Sequence, residues 1–142
     1  MKKIFIAATL IAALTTSAIA SPRTDAKALK HLTSQFKDAT NISWKTTDNY
    51  TKATFNWNSQ VIEVFYNNDG EHIATGRHIS EDALPLNALK VINDKYKDYK
   101  PSEAIEMDNV ESGTDYYVSL VKDQEKVILQ VSPSGSVSVF KK

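Results

Sequence analysis

Two segments of the chain carry the same apolar pattern. Residues 28–38 and 88–98 lie 60 positions apart and are identical at five of eleven positions. In each segment the apolar side chains recur at spacings of three and four, which places them on one face of a helix. These side chains are Leu29, Leu32 and Phe36 in the first segment and Leu89, Ile92 and Tyr96 in the second. The pattern predicts two amphipathic helices, over residues 24–38 and 83–98.

After each predicted helix, the spacing changes to the alternation that is typical of strands. Turn-forming residues interrupt this alternation, most clearly Asn67-Asn68-Asp69-Gly70, whose residue types tolerate positive φ. The predicted strands are 41–47, 50–58, 60–67 and 71–79 in the first half, and 103–110, 114–122, 125–132 and 136–141 in the second. Each half is therefore predicted to be one helix followed by four antiparallel strands.

The internal repeat predicts an α+β fold of two tandem helix-plus-four-stranded antiparallel sheet repeats. The first repeat spans 21–80 and the second spans 81–142, and together they form one domain. A four-stranded sheet packs one face on its helix and leaves the other face bare. We therefore expect both helices to lie on one face of the sheets, and the two sheets to be continuous or nearly so.

Strand alternation separates the side chains under the helices from those on the opposite face. The predicted helix-covered set is Ile42, Trp44, Ala53, Phe55, Ile62, Val64, Tyr116, Val118 and Leu120. The predicted uncovered set is Ser43, Lys45, Tyr50, Lys52, Thr54, Asn56, Val61, Glu63, Phe65, Tyr117, Ser119 and Val121. A register slip of one residue would exchange the two sets, so their burial tests the assignment.

Residues 1–20 have the order of a secretory signal peptide. A basic Met-Lys-Lys start precedes an apolar run over residues 4–14, and small residues at 18–20 form a cleavage motif. The apolar run is shorter than the stretch of about 20 residues that spans a bilayer. We expect cleavage before Ser21, no membrane insertion after cleavage, and a periplasmic location, with secretion as the alternative.

Composition narrows the classes of function. The 142-residue chain has no cysteine, which removes disulfides, thiolate metal sites and cysteine nucleophiles. Without the leader, 15 basic side chains stand against 17 acidic ones, a formal charge of −2. Nucleic-acid binding requires a clustered basic surface. Because the basic residues are scattered, we expect no nucleic-acid partner.

Four stretches of the chain carry motifs that resemble those of one protein family. They are Asn-Ile-Ser-Trp at 41–44, Tyr-Thr-Lys-Ala-Thr-Phe at 50–55, Val-Phe-Tyr-Asn-Asn-Asp-Gly-Glu at 64–71 and Ile-Ser-Glu-Asp-Ala-Leu-Pro at 79–85. They resemble the PepSY-like family of small exported bacterial proteins, also described as β-lactamase-inhibitor-like. The resemblance covers nearly all of residues 24–142, although Ser-Pro-Ser-Gly at 132–135 departs from the pattern. It implies a concave sheet surface, which in the inhibitor relatives grips a target protein.

Catalytic and metal-binding motifs are absent from the sequence. His72 and His78 lie on one predicted strand face, about 20 Å apart at the usual rise per residue, and His31 is expected on the solvent side of the first helix. Asp69-Gly70-Glu71 is explained by a tight turn and lacks the further ligands of a calcium loop. No zinc motif, serine elbow or phosphate loop occurs. We expect no metal, no cofactor and no enzymatic activity.

Aromatic residues on the predicted uncovered face are the candidate binding residues. Tyr50, Phe65 and Tyr117 belong to that face, and Trp57, near a turn, fits either face. Such side chains anchor protein interfaces. The competing interpretation is that they are cross-strand pairs that stabilise the sheet. If they bind a partner, Tyr50, Phe65 and Tyr117 must be accessible together, away from both helices.

The sequence thus predicts an exported, non-enzymatic binding module of inhibitor-like type that engages an exported protein or peptide through the uncovered sheet face. The alternative is a periplasmic small-ligand or envelope-stress sensor, which requires a pocket between helix and sheet.

Overall fold

The computed structural model describes residues 25–142, so the predicted signal peptide lies outside the described residues. Helix α1 is Ala26–Gln35, followed by β1 Thr40–Thr46, β2 Thr51–Trp57, β3 Gln60–Tyr66 and β4 His72–Ile79. A short 3-10 helix, Glu81–Ala83, leads into helix α2 Leu86–Lys95, and then β5 Lys100–Asn109, β6 Gly113–Lys122, β7 Glu125–Val131 and β8 Val137–Lys141. In this part of the chain, neither helix has the length and apolar character needed to cross a membrane.

The eight strands of the described residues belong to one antiparallel sheet and follow one another in chain order. Residues 25–142 are mostly β, with 52% strand and 19% helix. The prediction of two tandem helix-plus-four-strand repeats is therefore wrong. The finding that overturns it is a single, mostly β sheet of eight strands in place of two repeat units, in which β4 pairs with β5 from Ala74 opposite Asn109 to Ile79 opposite Ala104.

The physical reason for the single sheet lies at the strand edges. Two separate sheets would leave β4 and β5 as edges with unpaired N–H and C=O groups, and pairing removes both edges. Arg77 of β4 and Glu106 of β5 add a bidentate ion pair between the two strands, with Nε–Oε1 at 2.8 Å and Nη2–Oε2 at 3.0 Å.

Each helix begins against a glycine of a β-hairpin. The Asp25 carboxylate caps α1 by accepting the N–H of Lys27 at 2.7 Å, and Gly70 lies so close that a Cβ there would collide with Asp25. In the second half, a Cβ on Gly135 would lie 2.7 Å from the Asn87 Cβ at the start of α2. Both glycines have positive φ, +73° and +87°, which glycine adopts without strain. The hairpin turns therefore fix where the helices start on the sheet.

The helix-covered face carries one buried apolar cluster under each helix. Under α1 lie Ala28, Leu32, Ala53, Phe55, Ile62, Val64 and Tyr66. Under α2 lie Leu84, Ala88, Ile92, Ala104, Val118, Leu120, Val127, Leu129 and Val131. Trp44 and Tyr116 pack against these clusters, partly buried. The predicted helix-covered set is thus confirmed except for Ile42, which is 40% exposed.

The opposite side of the sheet, which we call the helix-free face, has a cluster of its own. Its buried members are Tyr50, Phe65, Ala74, Ile105 and Met107, with Ile73 and Tyr117 packed against them. In residues 25–142 both helices pack over the other two clusters. The apolar cluster of the helix-free face therefore lies where neither helix covers it.

Candidate functional site

Three of the four predicted binding residues meet on the helix-free face. Tyr50, Phe65 and Tyr117 belong to the same apolar cluster. Tyr50 and Phe65 are only 6% and 1% exposed, whereas Tyr117 is partly accessible. The expectation that the three side chains are accessible together is therefore wrong. Strand alternation assigns a side chain to a face, but the depth of its burial is set by distant neighbours.

Tyr50 and Phe65 bury each other. Their rings meet edge to face with centroids 5.6 Å apart, an arrangement that the ring quadrupoles favour. Tyr50 precedes β2 and sits in the turn from β1, where the N–H of Thr47 donates to its carbonyl oxygen at 2.8 Å. Because Tyr50 lies outside a strand, strand alternation does not determine the direction of its ring. Lys52 also lies over Phe65, with Nζ 5.8 Å from the ring centroid.

Trp57, the fourth predicted residue, lies on the other face with the core under α1. Its indole Nε1 donates to the carbonyl oxygen of Lys37 at 2.9 Å. Its ring meets Phe36 edge to face, with centroids 5.5 Å apart. Both the polar and the apolar parts of the indole thus have partners just beyond the end of α1, and the structure places Trp57 away from the helix-free face.

An ion pair to which the sequence assigned no role lies beside the cluster. Lys52 Nζ donates to Glu63 Oε1 at 2.5 Å, and the two side chains are 13% and 8% exposed. Among the described residues, nothing donates to the other oxygen, Oε2, although it is buried. A buried acceptor without a donor is unfavourable. Its signal in the sequence is an acidic residue inside the apolar run 61–66.

The two tyrosines of the cluster remain protonated at neutral pH. Burial raises the pKa of Tyr50 above its ordinary value of 10.0, and the negative charge of Glu63 raises it further. Burial likewise raises the pKa of Tyr117, with a contribution from Asp115. Both hydroxyls are therefore neutral groups that can donate a hydrogen bond.

Strand register places Glu63 in a row of side chains that crosses the helix-free face. The row runs Thr54, Glu63, Gly76, Met107 and Asp115. Gly76 has no side chain, and the Met107 methyl fills the gap, since a Cβ on Gly76 would lie 3.2 Å from Met107 Cε. This stretch contains two carboxylates and no cation, and Lys52 of the neighbouring row pairs with Glu63.

Tyr117 and Phe140 form a partly exposed aromatic pair on the same face. Their rings meet edge to face with centroids 5.3 Å apart. Gln130 lies opposite Tyr117 on β7, and its Nε2 donates to Asp115 Oδ2 at 3.0 Å. This side of the face therefore combines two partly accessible aromatic rings with the carboxylate of Asp115, which is fixed by its hydrogen bond from Gln130. Phe140 was not predicted, because its role depends on where the edge strand β8 pairs.

A second polar cluster lies where α1 meets the β3–β4 hairpin. The rings of His31 and His72 stack, with centroids 4.8 Å apart and planes at 20°. His31 Nδ1 lies 3.1 Å from the Tyr66 hydroxyl, and His72 Nε2 lies 2.8 Å from the Thr75 hydroxyl. Burial lowers the pKa of His72, and the charge of His31 lowers it further. Burial raises the pKa of Tyr66 to about 12. The expectation that His31 faces solvent is wrong, because its half-buried ring packs against Tyr66 and His72.

Residues 25–142 form no metal cluster, and two grooves on their surface are open to solvent. No three His, Cys, Asp or Glu side chains are placed to hold a metal ion, and His78 Nδ1 lies 3.4 Å from Glu103 Oε1 instead. One surface groove is lined by Lys30, His31 and His72, and another by residues 56–61. Both grooves are open to solvent, unlike the enclosed clefts that bind most small ligands.

No protein-family model and no curated protein matches the sequence. Solved structures match its fold. A protein from Bacteroides eggerthii, provisionally assigned to the periplasm, has a TM-score of 0.74 at 18% identity over 80% of this chain and 85% of that chain. A DUF2874 family protein from Bacteroides uniformis has a TM-score of 0.72 at 14% identity over 80% and 85%. A BLIP-like protein from Bacteroides fragilis has a TM-score of 0.68 at 18% identity over 83% and 87%.

These similarities confirm part of the predicted resemblance. The fold is similar to that of a BLIP-like protein, as the β-lactamase-inhibitor-like part of the resemblance implied. The PepSY part is not confirmed by these structures and stays a prediction. At such low identities the likeness concerns the fold, and a shared fold does not carry a shared function.

Proposed function

We propose that the chain is an exported, non-enzymatic binding module of inhibitor-like type that engages a protein or peptide through the helix-free face. The observation that carries the proposal is the partly exposed aromatic pair Tyr117 and Phe140 on that face, over which neither described helix packs. Aromatic side chains are enriched at protein interfaces.

The accessible part of this surface is centred on Tyr117 and Phe140, which are partly exposed. Tyr50 and Phe65 form the packed layer that supports it. Aromatic side chains held in place by packed neighbours contribute much of the binding energy at protein interfaces. We therefore assign partner contact to Tyr117 and Phe140, and structural support to Tyr50 and Phe65.

Two further features support an exported role without catalysis. The leader pattern of residues 1–20 and the similarity to the Bacteroides eggerthii protein favour export to the periplasm. The imidazoles of His31 and His72 stack on each other and each lie beside a neighbouring hydroxyl. That arrangement suits packing better than general-base chemistry, which requires a base within reach of a bound substrate.

Affinity capture from periplasmic extract tests the proposal. The tagged exported protein is compared with Tyr117→Ala and with Leu86→Ala. Leu86 is a matched control because its apolar side chain is 69% exposed on α2, away from the helix-free face. We expect Tyr117→Ala to weaken capture about tenfold, on the scale of an interface hot spot, and Leu86→Ala to leave it unchanged. Equal capture by the two variants would contradict the proposal.

A further inference from the structure

Glu63 presents an unused acceptor on the helix-free face. Its side chain is 8% exposed, and no described residue donates a hydrogen bond to Oε2. The other oxygen already receives Lys52. Because a buried carboxylate oxygen gains from each donor that reaches it, a docked group with N–H or O–H hydrogens would complete this site.

The surroundings favour a cation over a neutral donor. Asp115 follows Glu63 in the same row, beyond Gly76 and Met107, and between Glu63 and Asp115 the row holds no cation. Lys52 neutralises one of the two carboxylates. Lys45 lies opposite Lys52, on the side of Glu63 away from Asp115. The stretch from Glu63 to Asp115 therefore presents carboxylates and no further cation, which a positively charged side chain complements.

Among cations, a guanidinium fits the neighbouring side chains better than an ammonium. It is planar and weakly hydrated, carries five N–H donors and packs on aromatic rings. Tyr117 packs against the cluster that contains Met107, so its ring can cover the apolar stem of such a side chain. Met107 lies over Gly76, and its unbranched side chain can change rotamer to admit the group.

We propose that an arginine side chain of the protein partner docks at the centre of the helix-free face, displaces the Met107 methyl group and donates to Glu63 Oε2. This inference rests on the proposed binding function and defines the chemistry of the partner at that site.

NMR titration of the ¹⁵N-labelled exported protein tests the inference. The probe is N-acetyl-arginine amide, and the matched control is N-acetyl-citrulline amide, whose neutral urea group has nearly the same shape. We expect saturable shifts of the Glu63, Gly76 and Met107 amides with the arginine probe, and at least tenfold weaker binding of the citrulline probe. Equal affinity of the two probes, or no saturable shift at these amides, would overturn the inference.

Two variants with opposite expected effects identify the carboxylate. Glu63→Gln keeps the size of the side chain and removes its charge, so we expect at least tenfold weaker binding of the arginine probe. Lys52→Gln removes the competing ammonium, and we expect binding to become several-fold tighter. Loss of folding cannot produce both changes, and the dispersion of the spectrum monitors it. Unchanged affinity in both variants contradicts the role of Glu63.

Partner capture distinguishes this inference from the function on which it rests. If Tyr117→Ala weakens capture while Glu63→Gln leaves it unchanged, the arginine site is overturned and the binding face stands. If neither variant alters capture, the binding face itself is overturned.

Discussion

The imidazole rings of His31 and His72 stack 4.8 Å apart between α1 and the sheet. Stacking at this distance is favourable for neutral rings and unfavourable for two charged ones, because like charges repel. The packing of α1 on the sheet therefore depends on the protonation state of His72.

We predict that the protein loses stability as the pH falls below about 6.5. Burial and the charge of His31 lower the pKa of His72 from 6.5, so the unfolded chain takes up a proton before the folded one does. The free energy of unfolding then decreases from pH 6.5 down to the lowered pKa and loses this contribution completely below it. Urea denaturation between pH 8 and pH 5 measures the effect.

The variant His72→Gln should reduce this pH dependence. Thr75→Val serves as the control, because it removes the hydroxyl 2.8 Å from His72 Nε2 and keeps the imidazole. The same dependence on pH in His72→Gln as in the unmodified protein would show that the histidine pair does not cause it.

Replacing Gly135 by Ala should destabilise the protein more than replacing Gly113. Both glycines have positive φ, +87° and +81°, so both substitutions carry a backbone penalty of about 1 kcal/mol. A Cβ on Gly135 would also lie 2.7 Å from Asn87 Cβ, whereas a Cβ on Gly113 meets nothing within 4 Å. Urea denaturation of the two variants compares the costs, and equal costs would show that the contact with α2 is not tight.

Substitutions on the helix-free face should separate supporting from contacting residues. Phe65→Ala should lower the free energy of unfolding by about 3–5 kcal/mol, the usual range for a buried Phe, and Tyr50→Ala should also destabilise strongly. Tyr117→Ala should destabilise less, because its side chain is partly exposed. Thermal and urea unfolding measure these effects. A loss for Tyr117→Ala as large as for Phe65→Ala would place Tyr117 in the supporting layer.

The Lys52–Glu63 pair should show strong coupling in a double-mutant cycle. Lys52→Met leaves a buried carboxylate without its cation and should cost about 3–5 kcal/mol, whereas Lys52→Met combined with Glu63→Leu removes both charges and should recover most of that loss. Unfolding free energies of the two single variants and the double variant give the coupling. A double variant as unstable as Lys52→Met alone would argue against a buried ion pair.

Local pattern was sufficient to predict the elements and the faces of the sheet. The predicted helices at 24–38 and 83–98 contain α1 and α2. Alternation correctly assigned Phe55 and Val118 to the helix-covered face. These predictions succeed because the periods of helix and strand arise from backbone geometry within a few residues.

Features that depend on distant contacts could not be predicted in this way. The pairing of β4 with β5 joins strands that α2 separates in the chain, and the stacking of His31 on His72 joins a helix to a hairpin. The burial of Tyr50 and the lack of a hydrogen-bond donor at Glu63 Oε2 likewise depend on how several strands pack together. Periodicity predicts the face of a side chain, whereas depth and partners require the assembled sheet.

Photo-cross-linking from the helix-free face is the most direct test of the proposed binding function. Benzoylphenylalanine replaces Phe140 in one variant and the exposed Leu86 of α2 in the other, and both exported proteins are irradiated in intact cells. The proposed binding face predicts one defined cross-linked partner from position 140 and none from position 86. A partner cross-linked from position 86 and not from position 140 would contradict it.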